Sequence, residues 1–311
     1  MKQITGILFL LGAFSLAGTS VISARFVTDK LGAFTITAIS MFFALLILVP
    51  LCLKSLVVYL RQMSLRNFGF LFLQALCGIF LFRLFLIQGL LHTSAGEAGI
   101  LTGATPAITA ILAMGVLRER VTANMIIGIL CTVLGILTIQ GVFSTSGILS
   151  TKHLLGNILV LCAASSESVF NILSRIFAVG EEKRGLQDTN PIVQTTIVSA
   201  IALVLCIIPA LFEHPLAALG TIGLTQWIAL AWYGVFVTAV AFICWYSGIK
   251  RCGAFTAAAF SGMMPFTAMV LSVLILNEKA GLQQWLGGGL VILGMLLIGL
   301  NRTDGKIKVK A

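Results

Sequence analysis

Apolar residues gather along this chain into ten long runs, at about 4–26, 33–53, 68–90, 96–117, 123–142, 154–178, 190–212, 224–248, 254–276 and 282–301. A helix needs roughly 20 apolar residues to cross the hydrocarbon core of a bilayer, and each run meets that length. The polar breaks between runs are short, and only Gly180–Asn190 resembles a long hydrophilic loop. The first run, with Lys2 ahead of it, is placed like a signal peptide. Its apolar span exceeds the roughly 7–15 residues of such leaders, so it is read as a helix of the protein. The pattern predicts an all-α integral membrane protein with ten transmembrane helices.

The chain also repeats itself. At an offset of 159 residues, Pro50 falls on Pro209, Pro106 on Pro265, Glu119 on Glu278, Gly128 on Gly287 and Gly135 on Gly294. Earlier in each half the offset is 150, which sets Gly6 on Gly156 and Arg25 on Arg175. The extra residues of the second half sit in Gly180–Asn190. The runs therefore divide five and five, into residues 1–142 and 154–301, joined by Phe143–His153 and followed by a basic tail at 302–311. An odd number of spans per copy makes the second copy enter the membrane from the opposite side. The expected architecture is two inverted five-helix repeats, which many secondary transporters share.

Composition supports the membrane setting. Hydrophobic residues make up 59% of the 311 and charged residues only 10%, with a mean hydropathy of +1.09. Ordinary soluble domains carry about 25% charged residues, so this chain has too few to cover a soluble surface. The net charge is +10, yet no polar domain carries a basic run to receive nucleic acid. Distributed over the expected loops, the charge reads instead as an orientation signal. One face receives 15 of the 20 Lys and Arg; the other receives Arg25, Lys30, Lys152 and Lys279, with Arg83 inside a helix. That asymmetry places both termini on the cytoplasmic side. Trp227, Trp285 and Tyr59 stand near helix ends, where interfacial anchors belong.

Soft ligands are scattered. The seven cysteines (Cys52, Cys77, Cys131, Cys162, Cys206, Cys244, Cys252) show no C-x-x-C spacing, and His92, His153 and His214 stand singly. No metal site and no cofactor are expected from them. A G-x-x-x-x-G-K-[ST] phosphate loop is absent, so the chain carries no P-loop of its own for ATP hydrolysis.

The chemistry must then come from polar residues inside apolar runs. Glu167 lies near the centre of the sixth run, with Asn171 and Ser174 at helical spacing on one face. A carboxylate there costs roughly 2.5–3.5 kcal/mol on insertion scales, so it faces protein or water. It serves either as half of an interhelical bond or as a contact for a substrate cation or a proton. Arg83, near the middle of the third run, is its obvious partner; unpaired, Arg83 favours an anionic group such as a carboxylate. The repeat counterparts of Arg83 and Glu167 are Phe242 and Ala17, so the charges are present in one copy only. Trp245 and Tyr246, with Thr238 and Ala241 on the Trp245 face, either pack or line a cavity. Pro106 and Pro265, near the middle of runs four and nine, are either simple kinks or paired hinges. Glu97 suits a helix start. Gly96, Gly99 and Gly103 in run four, Gly128 and Gly135 in run five, and Gly287 and Gly294 in run ten make thin faces for close packing in lipid, a minority of them bordering a cavity.

The stretch TSAGEAGILTGATPAITAILAMGVLRERVTANMIIGILCTVLGI and its echo AFTAAAFSGMMPFTAMVLSVLILNEKAGLQQWLGGGLVILGM resemble the EamA repeat of the drug/metabolite transporter superfamily. The signature is a helix of small residues, a Pro, a Glu-bearing turn and a Gly-rich helix. It covers the last two helices of each half, the other six following by number and spacing. The resemblance implies ten helices around a central cavity in a prokaryotic cytoplasmic membrane, and export of metabolites, amino acids or drugs. Many relatives carry a membrane-embedded Arg in the second helix, which ITAISMFFALLILVP here lacks. The expected function is secondary transport of a small molecule, amino-acid-like or drug-like, with Glu167, Asn171, Arg83, Trp245 and Tyr246 at the site and protons a candidate coupling ion through Glu167. A membrane-embedded enzyme acting on lipid would need clustered His, Asp or Glu near one interface, and none is found. A structural or sensory subunit would more naturally carry a soluble domain, for which ten helices leave no room.

Overall fold

The computed structural model describes residues 2–93, 101–118, 122–139, 154–183, 190–275, 277 and 281–299. Among the described residues every regular element is helical. The first half contributes α1 (Lys2–Arg25), α2 (Ala33–Gln62), α3 (Leu65–Leu90), α4 (Thr105–Val116) and α5 (Ala123–Ile139). The second contributes α6 (Leu154–Lys183), α7 (Pro191–Leu211), α8 (Leu224–Cys252), α9 (Ala254–Ile275) and α10 (Leu282–Gly299), with a short helix Pro215–Leu219 before α8. Seven of these are long and apolar enough to cross a membrane; α4, α5 and α10 are shorter. The start of run four, with Gly96, Glu97 and Gly99, lies outside the described residues, as do the turn residues Glu119 and Glu278.

Two helices outrun their apolar patterns. The second run stops at Lys54, yet α2 continues to Gln62, giving 30 residues or roughly 45 Å against a core of about 30 Å. Charged side chains end hydrophobicity without ending helix propensity, because Lys and Arg are good helix formers. For the same reason α6 runs to Lys183, into the stretch read as a loop.

Two pairs of repeat-related helices, α5 with α10 and α2 with α7, pack antiparallel. On α5 and α10, a side chain at Gly135 would come within 2.7 Å of the Gly287 carbonyl, and one at Gly294 within 2.5 Å of the Gly128 carbonyl. The early glycine of each helix thus meets the late glycine of the other. Both thin faces are spent on this crossing, where backbones approach without an intervening side chain. On α2 and α7, Cys52 Sγ lies 3.3 Å from Thr196 Oγ1, while Glu213, two residues beyond α7, reaches the other end of α2. Its carboxylate accepts from Phe34 N at 3.0 Å, Thr35 N at 2.7 Å and Thr35 Oγ1 at 2.7 Å. A negative charge on the free N–H groups of a helix start is favourable on both hydrogen-bond and dipole grounds. Gly32 leaves the space that carboxylate occupies; a side chain there would push the Glu213 carboxylate aside.

Large apolar side chains also cover the outside, among them Leu46, Ile126, Ile208 and Leu293. An outer surface of this kind suits lipid rather than water.

Gly135→Leu should lower stability by about 1–3 kcal/mol, the usual range for overpacking. Gly12→Ala should leave stability nearly unchanged, since nothing lies within 4 Å of a methyl there. Thermal unfolding of both variants in detergent checks this.

Candidate functional site

In lipid a backbone must satisfy its own hydrogen bonds, so irregular backbone persists only where protein buries it or a cavity borders it. This chain interrupts its helices at two repeat-related pairs of places. A turn at Gly103–Ala104 precedes α4, and another at Ser261–Gly262 breaks α9. Gly103 and Gly262 stand 159 residues apart, as do Pro106 and Pro265. The second pair is a π-helical turn in α3, Leu76–Leu81, and one in α8, Tyr233–Val240, so 76–81 map onto 235–240. Such turns cluster at functional sites.

The two prolines are therefore not mid-helix kinks, as the apolar pattern suggested. Each sits in the first turn of a helix, Thr105–Val116 and Met263–Ile275 respectively. There the missing N–H would have had no helical partner anyway. The glycine three residues ahead of each proline, inside an uninterrupted apolar run, hides the break from hydropathy.

These interruptions surround a cavity of about 630 Å³. Thr102, Gly103 and Pro106 line it from the first copy, and Ser261, Met264 and Pro265 from the second. Arg83 reaches it from the trailing edge of the first π turn. Its Nη2 donates to the Tyr233 hydroxyl at 2.7 Å, and the guanidinium carbon lies 5.8 Å from that ring's centroid. Tyr233 opens the second π turn, where Thr238 Oγ1 donates to the Tyr233 carbonyl at 3.1 Å.

Glu167 enters from α6, half-buried, and accepts from Thr105 Oγ1 at 3.3 Å. Next to it Ser168 Oγ donates to the Thr105 carbonyl at 3.3 Å, and one turn on Asn171 Nδ2 donates to Thr109 Oγ1 at 3.2 Å. The polar stripe of α6 is thus stitched to α4 while Glu167 and Asn171 still line the cavity. Ser174, expected on the same face, instead donates back to the Phe170 carbonyl at 2.8 Å. The Arg83–Glu167 ion pair, one of the two alternatives left open, is not formed; each charge rests on a neutral hydroxyl.

Trp245 walls the cavity, stacked on Phe170 at 6.1 Å and edge-on to Phe14 at 5.4 Å. Its Nε1 has no hydrogen-bond partner among the described residues. Phe170 packs closely on α3 at Gly78, which offers no side chain to hold it off.

A profile of the EamA-like transporter family matches residues 4–140 and again 154–300. The chain belongs to the EamA-like transporter family. It is similar to the uncharacterized transporter YetK of Bacillus subtilis, 27% identical over 305 residues, covering 97% of this chain and 89% of the relative. An uncharacterized transporter of Clostridium kluyveri is 24% identical over 299 residues, covering 94% and 92%. A solved crystal structure superposes with a TM-score of 0.77 at 20% identity, covering 95% of this chain and 98% of that one, a likeness of fold.

In this EamA-like transporter, Tyr246 corrects a further expectation. It is turned away from the cavity and buried, its hydroxyl donating to Gln74 Oε1 at 3.1 Å. Gln194 Nε2 donates to the same oxygen at 3.0 Å. Helices α3 and α8 are consequently tied together twice, by Arg83–Tyr233 and by Gln74–Tyr246. Gln74 and Tyr233 occupy equivalent places in the two copies, 159 residues apart. Sequence reasoning missed Tyr233, Thr105, Thr109, Gln74 and Gln194. Lone amides inside apolar runs were a usable signal for Gln74 and Gln194; nothing in the one-dimensional pattern singled out Tyr233.

Gln74→Leu leaves two buried donors without an acceptor, whereas Tyr246→Phe removes one donor and orphans none. The first should cost about 1–3 kcal/mol per orphaned donor and the second about 1 kcal/mol. Unfolding in detergent should show Gln74→Leu to be the less stable of the two.

Proposed function

We propose that this protein is a secondary transporter that moves a small metabolite, amino-acid-like or drug-like, across the cytoplasmic membrane by alternating access, in the direction of export. The observation that carries the reading is the cavity at the junction of the two repeats, bordered by broken helices from both and holding, among the described residues, the cationic Arg83 and the anionic Glu167. Transporters of inverted-repeat design place their sites at such junctions, near the bilayer midplane.

The reading takes the chain as ten spans in two inverted copies, residues 1–142 and 154–301, with the basic tail 302–311 and both termini in the cytoplasm. Antiparallel packing of α2 on α7 and of α5 on α10 supports it, because an inverted copy must run opposite to its twin. Arg83, Glu167, Asn171 and Trp245 bind the substrate. Tyr246, first assigned to the binding surface, supports it from behind through Gln74. Pro106 and Pro265, each in the first turn after a helix break, are the hinges. A cycle is biased only if the ligand binds the two conformations with different strength.

Glu167 is the group through which protons would couple, and Arg83 lines the same cavity. In proteoliposomes, Glu167→Gln should abolish the dependence of flux on an imposed pH gradient. Retained pH-driven flux would remove Glu167 from that role. Reporter fusions should place the Glu119 and Glu278 turns on opposite faces; finding both on one face refutes the inverted arrangement and the transport cycle built on it.

A further inference from the structure

We propose, resting on the transporter reading, that Arg175 is the latch of one gate. Its guanidinium ties two blocks of helices together at the face that carries the N-terminus, cytoplasmic on that reading. The cavity opens to that face only when the tie is released.

The cavity occupies one half of the bundle. Contacts fix which helix ends share the N-terminal face: Gly6 of α1 meets Cys252 of α8, Phe70 of α3 faces Phe177 of α6 at 6.5 Å, and α9 begins straight after Gly253. Counted from that face, the first residues to line the cavity are Ala13 on α1, Gly78 on α3, Asn171 on α6, Trp245 on α8 and Ser261 on α9. In the other direction the lining runs on to Val273 and Gln284, beside the link between α9 and α10. The half toward the N-terminal face is filled. All of Ala254–Phe260 is buried there, together with Leu10, Leu71 and Ile249.

Helix α1 packs on α8 and α9, and α6 packs on α3 and α4. The two blocks are repeat counterparts, α1 of α6, α8 of α3 and α9 of α4. Arg175 belongs to the block of α6 and is only 7% exposed. Its Nη1 reaches into the other block, donating to the Ile249 carbonyl at 3.0 Å and the Lys250 carbonyl at 2.5 Å, in the last turn of α8. The last carbonyls of a helix lack helical partners and carry the negative end of its dipole, so a cation is well placed on them. A buried guanidinium stripped of its acceptors is costly. The blocks therefore part on this face only as Arg175 gains water or another acceptor.

The first copy carries the same elements in its sequence. Arg25 stands 150 residues before Arg175, and Leu90 and Leu91 stand 159 before Ile249 and Lys250, where α3 ends at the far face. An inverted-repeat carrier changes access by rocking its blocks against each other about the site. If each copy takes up the other's arrangement in the opposite conformation, Arg25 closes on the end of α3 as Arg175 lets go of α8.

Hydrogen–deuterium exchange of the full-length protein in detergent reads both halves of the bundle at once. Arg175→Gln should speed exchange in Ala254–Phe260 about 10- to 100-fold, the range for one lost charge-assisted hydrogen bond. It should also slow exchange in Met263–Ile275, as the far side closes. Arg175→Lys keeps the charge but not the planar fork, and should shift both segments in the same directions by less. Adding Arg25→Gln to Arg175→Gln should return the pattern toward wild type, because both conformations then lack their latch. Faster exchange in both segments marks Arg175 as a general structural contact, and unchanged exchange shows that it holds nothing shut; either result overturns the proposal. If Arg175→Gln fails to fold, Arg175→Lys decides. Vesicle flux separates the two layers: a reciprocal shift without flux sinks only the transport reading, whereas flux in the wild type with no reciprocal shift in the variants sinks only the latch.

Discussion

A backbone in hydrocarbon has no water to turn to, and the rest of this structure follows from that constraint. Every peptide group must find its partner within the protein, so the described chain is helical and its helices are long. Where helical bonding is interrupted, something other than lipid must stand beside the backbone. The turns at Gly103 and Gly262 and the π turns of α3 and α8 all border one cavity, so the exceptions to the rule mark the site. Had they faced outward, each would have left polar groups in an apolar solvent at a cost of several kcal/mol.

Duplication turns local interruptions into a paired device. A break ahead of α4 is matched by one in α9, and a π turn in α3 by one in α8, so the cavity is bordered by matched irregularities from both copies. The scaffold contacts obey the same symmetry: the glycines of α5 and α10 interleave, and α2 lies antiparallel to α7. Close backbone approach there replaces the hydrophobic driving force that lipid removes. Polar groups do not obey it. Glu213 caps α2 while the equivalent position is Lys54, and the charges of the cavity, Arg83 and Glu167, face Phe242 and Ala17 across the pseudo-symmetry. The two copies thus share their packing and not their polarity.

The two ties between α3 and α8 illustrate the same division. Arg83 with Tyr233, and Gln74 with Tyr246, join the same pair of helices on either side of the π turns. Because Gln74 and Tyr233 are counterparts, one repeat position acts as acceptor amide in the first copy and as phenol in the second. A buried amide that accepts from both Tyr246 and Gln194 orders three helices at once, since losing it orphans donors in a medium that cannot solvate them.

Much of this was written in one dimension. Apolar runs of membrane-spanning length, their recurrence at one offset and the few ionisable residues inside them determined the membrane setting, the duplication and the candidacy of Glu167 and Arg83, because the bilayer penalises polarity residue by residue. Helix ends were less legible: α2 and α6 outlast their apolar runs because hydropathy reports lipid contact and not helix propensity. Tertiary structure alone decided partners. That Arg83 meets Tyr233 and not Glu167, that Tyr246 turns to Gln74, and that the prolines begin helices instead of bending them all depend on which faces of separate helices meet. Such meetings are set by glycine contacts and hydrogen bonds between residues from 62 to 172 positions apart, which no local pattern encodes.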